Sequence, residues 1–548
     1  MWLGGNLSEL WSFAQNRAAS SSHSNKTTRV RPNDGVTSAI SLSKDGLYGK
    51  ACRLLVSQGV APNNESTWNL LVSKHPKGGC PVGLPGAPND GTLPPDFNLG
   101  PVLQSFPKLT GAGPSGLRIQ HLLDAVEVPL QTSILHSLKA VVNILSSGRA
   151  PALISPFLAG GNLTALVKSK DSCALDIRPI AVGETLRRLT AKCLCAVVKA
   201  KAAEFFQPHQ FGVSCSMGAE KIAHVLRACV DRHWKDEGFS VLKLDMRNAF
   251  NVVSCQAFLS ECSLHFPEFY PWVLWCYGQH PILWHPMGTF ASECGVQQGD
   301  PSGPLLFCLV LNILVKDICS DPNCANLSFH SWYLDDGVVA GPSMAVQKVL
   351  ALIEEKGSPL GSLVNFSKCE VFSPTDVNLF RGELIQSSSP NIVILGVPIG
   401  DLEFCSNYIS NKCASAKLLL RKLEEVGAQD AQVALVLLRL CGSFLESLAQ
   451  RRSPIQKALS AKIDDFQFNQ LFNSSSLADR ARLLSISSPH ASSWLSVVPS
   501  EGLGLHLNPD QFQVAIKWWL GLDTSGGITV LLMSRHCARS IRPSCLHM

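Results

Sequence analysis

The stretch SWYLDDGVVAG, residues 331–341, sets two aspartates side by side between two β-favouring runs, Ser331-Trp332-Tyr333-Leu334 and Val338-Val339-Ala340. An Asp-Gly pair between such runs is a hairpin signal, which predicts a turn at Asp335-Asp336-Gly337. A turn needs one Asp before the glycine, and two adjacent carboxylates repel. A surface hairpin with two solvated acids is one account of them. A divalent cation is the other, because Mg2+ takes hard oxygen ligands, usually one or two carboxylates together with phosphate oxygens. The cation account requires a further acid from a neighbouring strand and a segment to hold the phosphates.

Both are present. FSVLKLDMRNAFNVVS, residues 239–254, opens as a strand and reaches Asp245 at its end. Burying an unpaired charge there is costly, and a cation shared with the 335–336 turn would relieve it. Asp245 as the N-cap of a helix starting near Asn248 is the alternative. In ECGVQQGDPSGPLLFCLVLNILVKDI, residues 293–318, Gln298-Gly299-Asp300-Pro301 and Gly303-Pro304 stand directly before a long apolar helix. Glycines there admit close approach to the backbone, and a helix N-terminus attracts anions.

In this order the three segments resemble the palm of a reverse transcriptase, especially those of non-LTR (LINE-like) retrotransposons. Asp245 matches motif A, Gln298-Gly299 motif B and Tyr333-Leu334-Asp335-Asp336 motif C. GAGPSGLRIQHLLDA (111–125) resembles the entry to the fingers. NLTALVKSKDSCALDIRPIAVGETLRRLTAKCL (162–194) resembles the fingers hairpin, with Lys168 and Arg178-Pro179-Ile180 at its basic positions. NFSKCEVF (365–372) is similar to motif D, carrying Lys368. ILGVPIG (394–400) is similar to motif E, the primer grip, at Leu395 and Gly396. The likeness runs over residues 98–460.

The resemblance implies an α+β right-hand polymerase with a helical N-terminal extension. Its parts would be an extension and linker (1–97), fingers (98–235), palm (236–402), helical thumb (403–470) and a C-terminal extension (471–548). The implied activity is RNA-directed DNA synthesis by a retrotransposon-derived enzyme. It would add dNTPs to a DNA primer on an RNA template by in-line phosphoryl transfer. Asp245, Asp335 and Asp336 would hold two Mg2+ ions, with Mn2+ as an alternative. Phe250, five residues after Asp245, would exclude a ribose 2′-hydroxyl, although a Phe beside Ala249 also reads as core. Gln298 and Gly299 would meet the nucleotide or template, and Lys168, Arg178 and Lys368 phosphates. Over the thumb, Lys412, Lys417, Arg421, Lys422, Arg439, Arg451, Arg452 and Lys457 outnumber Glu424, Glu425, Asp430 and Glu446. Such a face suits backbone phosphates, and it equally suits plain solvation. Ser302 stands where a bulky apolar residue is usual, and Leu334 where Ala is common. Two other functions share the palm: a nucleic-acid-binding relic without catalysis, and an RNA-directed RNA polymerase. The acid triad speaks against the first, and Phe250 with the Tyr-Leu-Asp-Asp turn against the second.

The rest of the chain sets bounds. At 548 residues, two to four domains are expected, and a net charge of +5 leans only mildly toward anionic partners. Twenty cysteines without paired spacing read as reduced thiols. MWLGGNLSELWSFAQNRAAS lacks the apolar core of a secretory leader, and PLLFCLVLNILV (304–315) is short for a bilayer span. The expectation is an intracellular protein, nuclear or cytoplasmic, neither secreted nor membrane-bound. Residues 18–35 form a polar linker, and 36–75 hold two helical patterns. The Pro/Gly-rich connector 76–97 marks a domain boundary. No endonuclease or Cys/His segment is recognisable. His536, Cys537, Cys545 and His547 near the end fit no usual finger spacing.

Overall fold

The computed structural model describes residues 34–87, 93–107, 110–126, 131–169, 176–438, 468–488, 495, 505–520 and 522. The chain divides into two compact units, Gln58–Ser415 and the combination of Met1–Ser57 with Ala416–Met548.

The described residues hold eleven strands. In chain order they are β1 (Gly161–Ser169), β2 (Asp176–Gly183), β3 (Phe239–Leu244), β4 (Ile282–His285), β5 (Gly288–Ala291) and β6 (Phe329–Tyr333). β7 (Asp336–Pro342), β8 (Glu370–Phe372), β9 (Ile385–Ser387), β10 (Ile392–Ile394) and β11 (Val397–Ile399) follow. Three sheets result, ordered β2-β1-β4-β5, β6-β7-β3-β8-β9 and β10-β11, all within Gln58–Ser415. With helices between and around them, the chain is a mixed α+β protein.

β3 is the middle of the five-stranded sheet because both of its faces are apolar. Leu242 and Leu244 join the core that Trp332 and Val339 share with the helices Cys255–His265, Gly303–Ser320 and Ser343–Gly357. Phe239 and Val241, on the alternate positions, pack instead with Ile222, Leu226 and Val230 of the helix Gly218–His233 and with Ile392, Ile394 and Ile399. Lys243 is the exception, and its ammonium meets Glu370 across the ladder at 2.5 Å. The helix Gly303–Ser320 runs beyond the apolar run read from sequence. Its 18 residues are long and apolar enough to cross a membrane by length and composition, and 67% of that window is buried inside the protein. That is how a core helix behaves.

Three expectations need correction. The first helical pattern of 36–75 is two helices, Asp34–Lys44 and Tyr48–Val56, broken where Gly46 takes φ +72°. Glu65–Ser73 is a third helix and belongs to the other unit. The connector 76–97 is not a boundary, because its chain is stitched to the body. Gly78 N–H donates to Glu293 (3.0 Å), Val82 N–H to Gln256 (2.9 Å), and the Tyr270 hydroxyl donates to the Pro85 carbonyl (2.7 Å). Side chains here replace the backbone pairing that prolines and glycines cannot provide.

In the other unit, Val36, Ala39, Ala51, Cys52 and Leu55 share a core with Leu423, Val426, Val433 and Leu437. Lys412, Lys417, Arg421 and Lys422 lie on the helix Leu402–Gln429, and Lys422 is paired with Glu425 at 2.7 Å. Arg439, Glu446, Arg451, Arg452, Lys457, His536, Cys537, Cys545 and His547 lie outside the described residues.

Candidate active site

The acids are brought together by strand register. Leu244 on β3 is paired with Gly337 on β7, and Tyr333 on β6 with Asp336. Asp245, one step past the last β3 pair, therefore emerges beside Asp336 and next to the turn. The turn itself is Leu334-Asp335, not Asp-Gly: Leu334 takes φ +56°, and Asp336 and Gly337 already belong to β7. Gly337 is needed for a different reason, since a Cβ there would stand 2.4 Å from the Trp332 ring. The left-handed Leu334 is held by Gln210, whose Oε1 accepts the Leu334 N–H at 2.8 Å and whose Nε2 donates to the Leu334 carbonyl at 3.2 Å. Asp245 is not a helix cap, because Asn248 with φ +52° precedes the helix Ala249–Val252. Asn365 grips Asp245 twice: Nδ2 donates to Oδ1 at 2.8 Å, and the Asn365 N–H donates to the Asp245 carbonyl at 2.8 Å.

Charge among these acids is unbalanced. Burial pushes the Asp335 carboxyl up, and the Asp245 charge adds to the rise against the pull of Arg178. Asp336 reaches solvent, yet partial burial of its carboxyl thins its hydration. With Asp335 and Asp245 close by, its carboxyl is raised to about 6, Lys243 opposing. None of the three acids has an ion pair among the described residues. Their carboxylates do not form a set with every ligand atom within 4.8 Å of the others. Among the described residues, the only His/Cys/Asp/Glu group whose ligand atoms all lie within 4.8 Å is a different one, His209, Cys319 and His330. The donor set is carboxylate oxygen alone, which suits Mg2+ or Mn2+ rather than a soft metal.

The segment before the helix Gly303–Ser320 carries the Gln298-Gly299 pair. The Gln298 carbonyl accepts the Ala181 N–H at 2.8 Å, which docks the loop on β2. Gly299 has φ +122°, and a Cβ on it would meet the Ala181 carbonyl oxygen at 2.4 Å. Half-buried Phe250 stacks on Phe307 with centroids 5.0 Å apart and planes 22° apart. Part of its ring is thus core, as the plainer reading of it required. Arg178 is exposed on β2 and acts electrostatically on Asp335. Lys168 is exposed on β1 and sits 3.5 Å from Asp176, which Lys74 also holds. That carboxylate, rather than the acid cluster, is its partner. Lys368 is exposed on the turn Phe366–Lys368 before β8. Leu395 and Gly396, with φ +50° and +82°, form the two-residue turn between β10 and β11.

Residues 168–399, which include every one of these candidate positions, match the family described as reverse transcriptase (RNA-dependent DNA polymerase). Over this segment the chain is similar to reverse transcriptases. No curated protein matches the chain. Among solved structures, apo telomerase from Candida Tropicalis truncated from its C-terminal domain is similar over 46% of this chain, at 12% identity and a TM-score of 0.31. The match spans 55% of that chain, about half its length.

This segment also rests on residues that carry no sequence signal. Arg187, 1% exposed, pairs with Asp300 at 2.7 Å, and the Tyr277 hydroxyl donates to the same carboxylate at 2.6 Å. Arg187 also donates to Gln297. Burial pushes the Asp300 carboxyl up, but the Arg187 charge and the Ser302 and Tyr277 hydrogen bonds outweigh it and hold it below the usual range. Ser302 explains its own small size here, since its N–H and hydroxyl both donate to Asp300, at 2.9 and 2.6 Å. Arg187, Tyr277, Gln210 and Asn365 sit 23 to 124 residues from their partners. No local pattern could have revealed them.

Proposed function

We propose that this chain is an RNA-directed DNA polymerase of non-LTR (LINE-like) retrotransposon descent, extending a DNA primer on an RNA template with dNTPs inside the cell. The observation that carries the reading is the β3–β7 register, which sets Asp245 beside the Leu334-Asp335 turn and Asp336. Asp245, Asp335 and Asp336 would hold two Mg2+ ions, Mn2+ being the alternative. Bound there, the ions supply activation of the primer 3′-hydroxyl and neutralisation of the departing pyrophosphate.

The chain's own residues prepare that chemistry. Asn365 holds one carboxylate oxygen and the backbone carbonyl of Asp245, which fixes the side chain's orientation. Gln210 freezes the turn, so Asp335 is positioned before any substrate arrives. Gln298 and Gly299 form the wall for the nucleotide, and Phe250 lies under the sugar. Arg178 meets phosphate charge. Lys168 and Lys368 contribute at longer range, and Leu395-Gly396 guides the primer. The basic face of Leu402–Gln429 holds duplex backbone.

Primer extension on poly(rA)/oligo(dT) tests this. With dTTP and Mg2+, product should form, disappear with EDTA and return on adding Mg2+. Retained template–primer binding without any synthesis would favour a binding relic. Preference for UTP would make it an RNA polymerase.

A further inference from the structure

Three nitrogen and sulfur ligands meet on one side of the motif C strand. His209 follows the helix Lys199–Phe206, Cys319 lies in the last turn of Gly303–Ser320, and His330 is in β6. Their ligand atoms all lie within 4.8 Å of one another. His209 Nδ1–H donates to the His330 carbonyl at 2.9 Å, so its lone pair is on Nε2. Nε2 faces Cys319 Sγ at 3.3 Å. Zinc bonds of about 2.3 Å to sulfur and about 2.0 Å to nitrogen, at a tetrahedral angle, separate the two ligands by roughly 3.5 Å. The pair already has that span.

We propose that His209, Cys319 and His330 form a Zn2+ site with its fourth position open to water, tying the end of the Gly303–Ser320 helix to β6. Sulfur with imidazole is a zinc donor set, distinct from the carboxylates of the cleft. Cys319 is exposed, so an ion can reach it. On binding, Cys319 releases its thiol proton to solvent and a Zn–S bond forms. His330 Nε2 now accepts the Trp332 Nε1–H at 2.8 Å. The Trp332 indole thus sits against the His330 ring, and its emission reports occupancy. The site would brace the strand that leads to Tyr333-Leu334-Asp335-Asp336, and it stands whether or not the chain copies RNA.

The test is Co2+ titration of the reduced, chelator-treated full chain. One equivalent should produce thiolate-to-Co2+ charge-transfer absorption and a change in tryptophan emission, both displaced by Zn2+ and not by Mg2+. Cys319→Ser should abolish the absorption, and His209→Ala should weaken binding at least about tenfold. Cys80→Ser should leave it intact, although Cys80 Sγ lies 3.4 Å from His280 Nε2. Serine at an exposed position preserves the fold, which circular dichroism checks. Absence of the absorption would reduce the contact to a thiol donating to an imidazole. Its survival in Cys319→Ser, or its loss in Cys80→Ser, equally overturns the site.

Discussion

Asp335 and Asp336 repel each other and Asp245, so each charge costs the metal-free fold something. Asp335→Asn removes one of them. Synthesis should fall by at least on the order of 10³-fold, while template–primer affinity stays within about twofold. The same variant should be more stable than the parent in EDTA, by up to about 1 kcal/mol. Parallel losses of synthesis, binding and thermal stability would instead make the turn structural. Phe250→Ala keeps all three acids but removes a ring that is only half-buried. Misplacement of about 1 Å at an in-line centre can cost on the order of 10²-fold, which is how a clash with the 2′-hydroxyl acts. Relative to dTTP, kcat/KM for UTP should therefore rise at least about tenfold, or about 1.4 kcal/mol. Equal losses on both nucleotides would leave Phe250 as a packing partner of Phe307.

At the scale of elements, the motif B loop is set by what lies under it. Gly299→Ala drives a Cβ into the Ala181 carbonyl, a backbone atom that cannot move aside. The loop should shift, with stability falling by roughly 1–3 kcal/mol in denaturant unfolding and activity falling with it. A fully active, equally stable variant would show that the loop is not docked on β2. Beneath it, Arg187→Met strands the Asp300 carboxylate, and a loss of about 3–5 kcal/mol is expected. Asp300 also gives a pH signature. Its folded pKa lies below the unfolded value of about 3.9, so its stabilisation is complete above that value and fades as pH falls through the folded one. Asp300→Asn should flatten that acid limb, and an unchanged limb would mean other carboxylates set it.

For the whole molecule, each unit has its own apolar core, so residues 58–415 should fold alone with one cooperative denaturant transition. Truncation to 98–415 removes Leu71, which is 0% exposed, and the strapped connector. That fragment should be less stable by several kcal/mol, roughly a buried leucine plus lost hydrogen bonds. Equal stability would return the connector to the status of a linker. The sequence alone determined the acids, their order, the motif B glycines, the strand that ends at Asp245 and the apolar helix that follows the motif B glycines. These are legible because charge, missing side chains and periodicity act through neighbours in the chain. Only the tertiary structure decided that Leu334-Asp335 makes the turn, because Gly337 is committed to the Trp332 ring and Gln210 holds Leu334 left-handed. It alone paired Arg187 with Asp300, Asn365 with Asp245, and Lys168 with Asp176 rather than the acids. Those partners are chosen by packing between distant segments, and nothing in a side chain's identity announces which neighbour burial will bring to it.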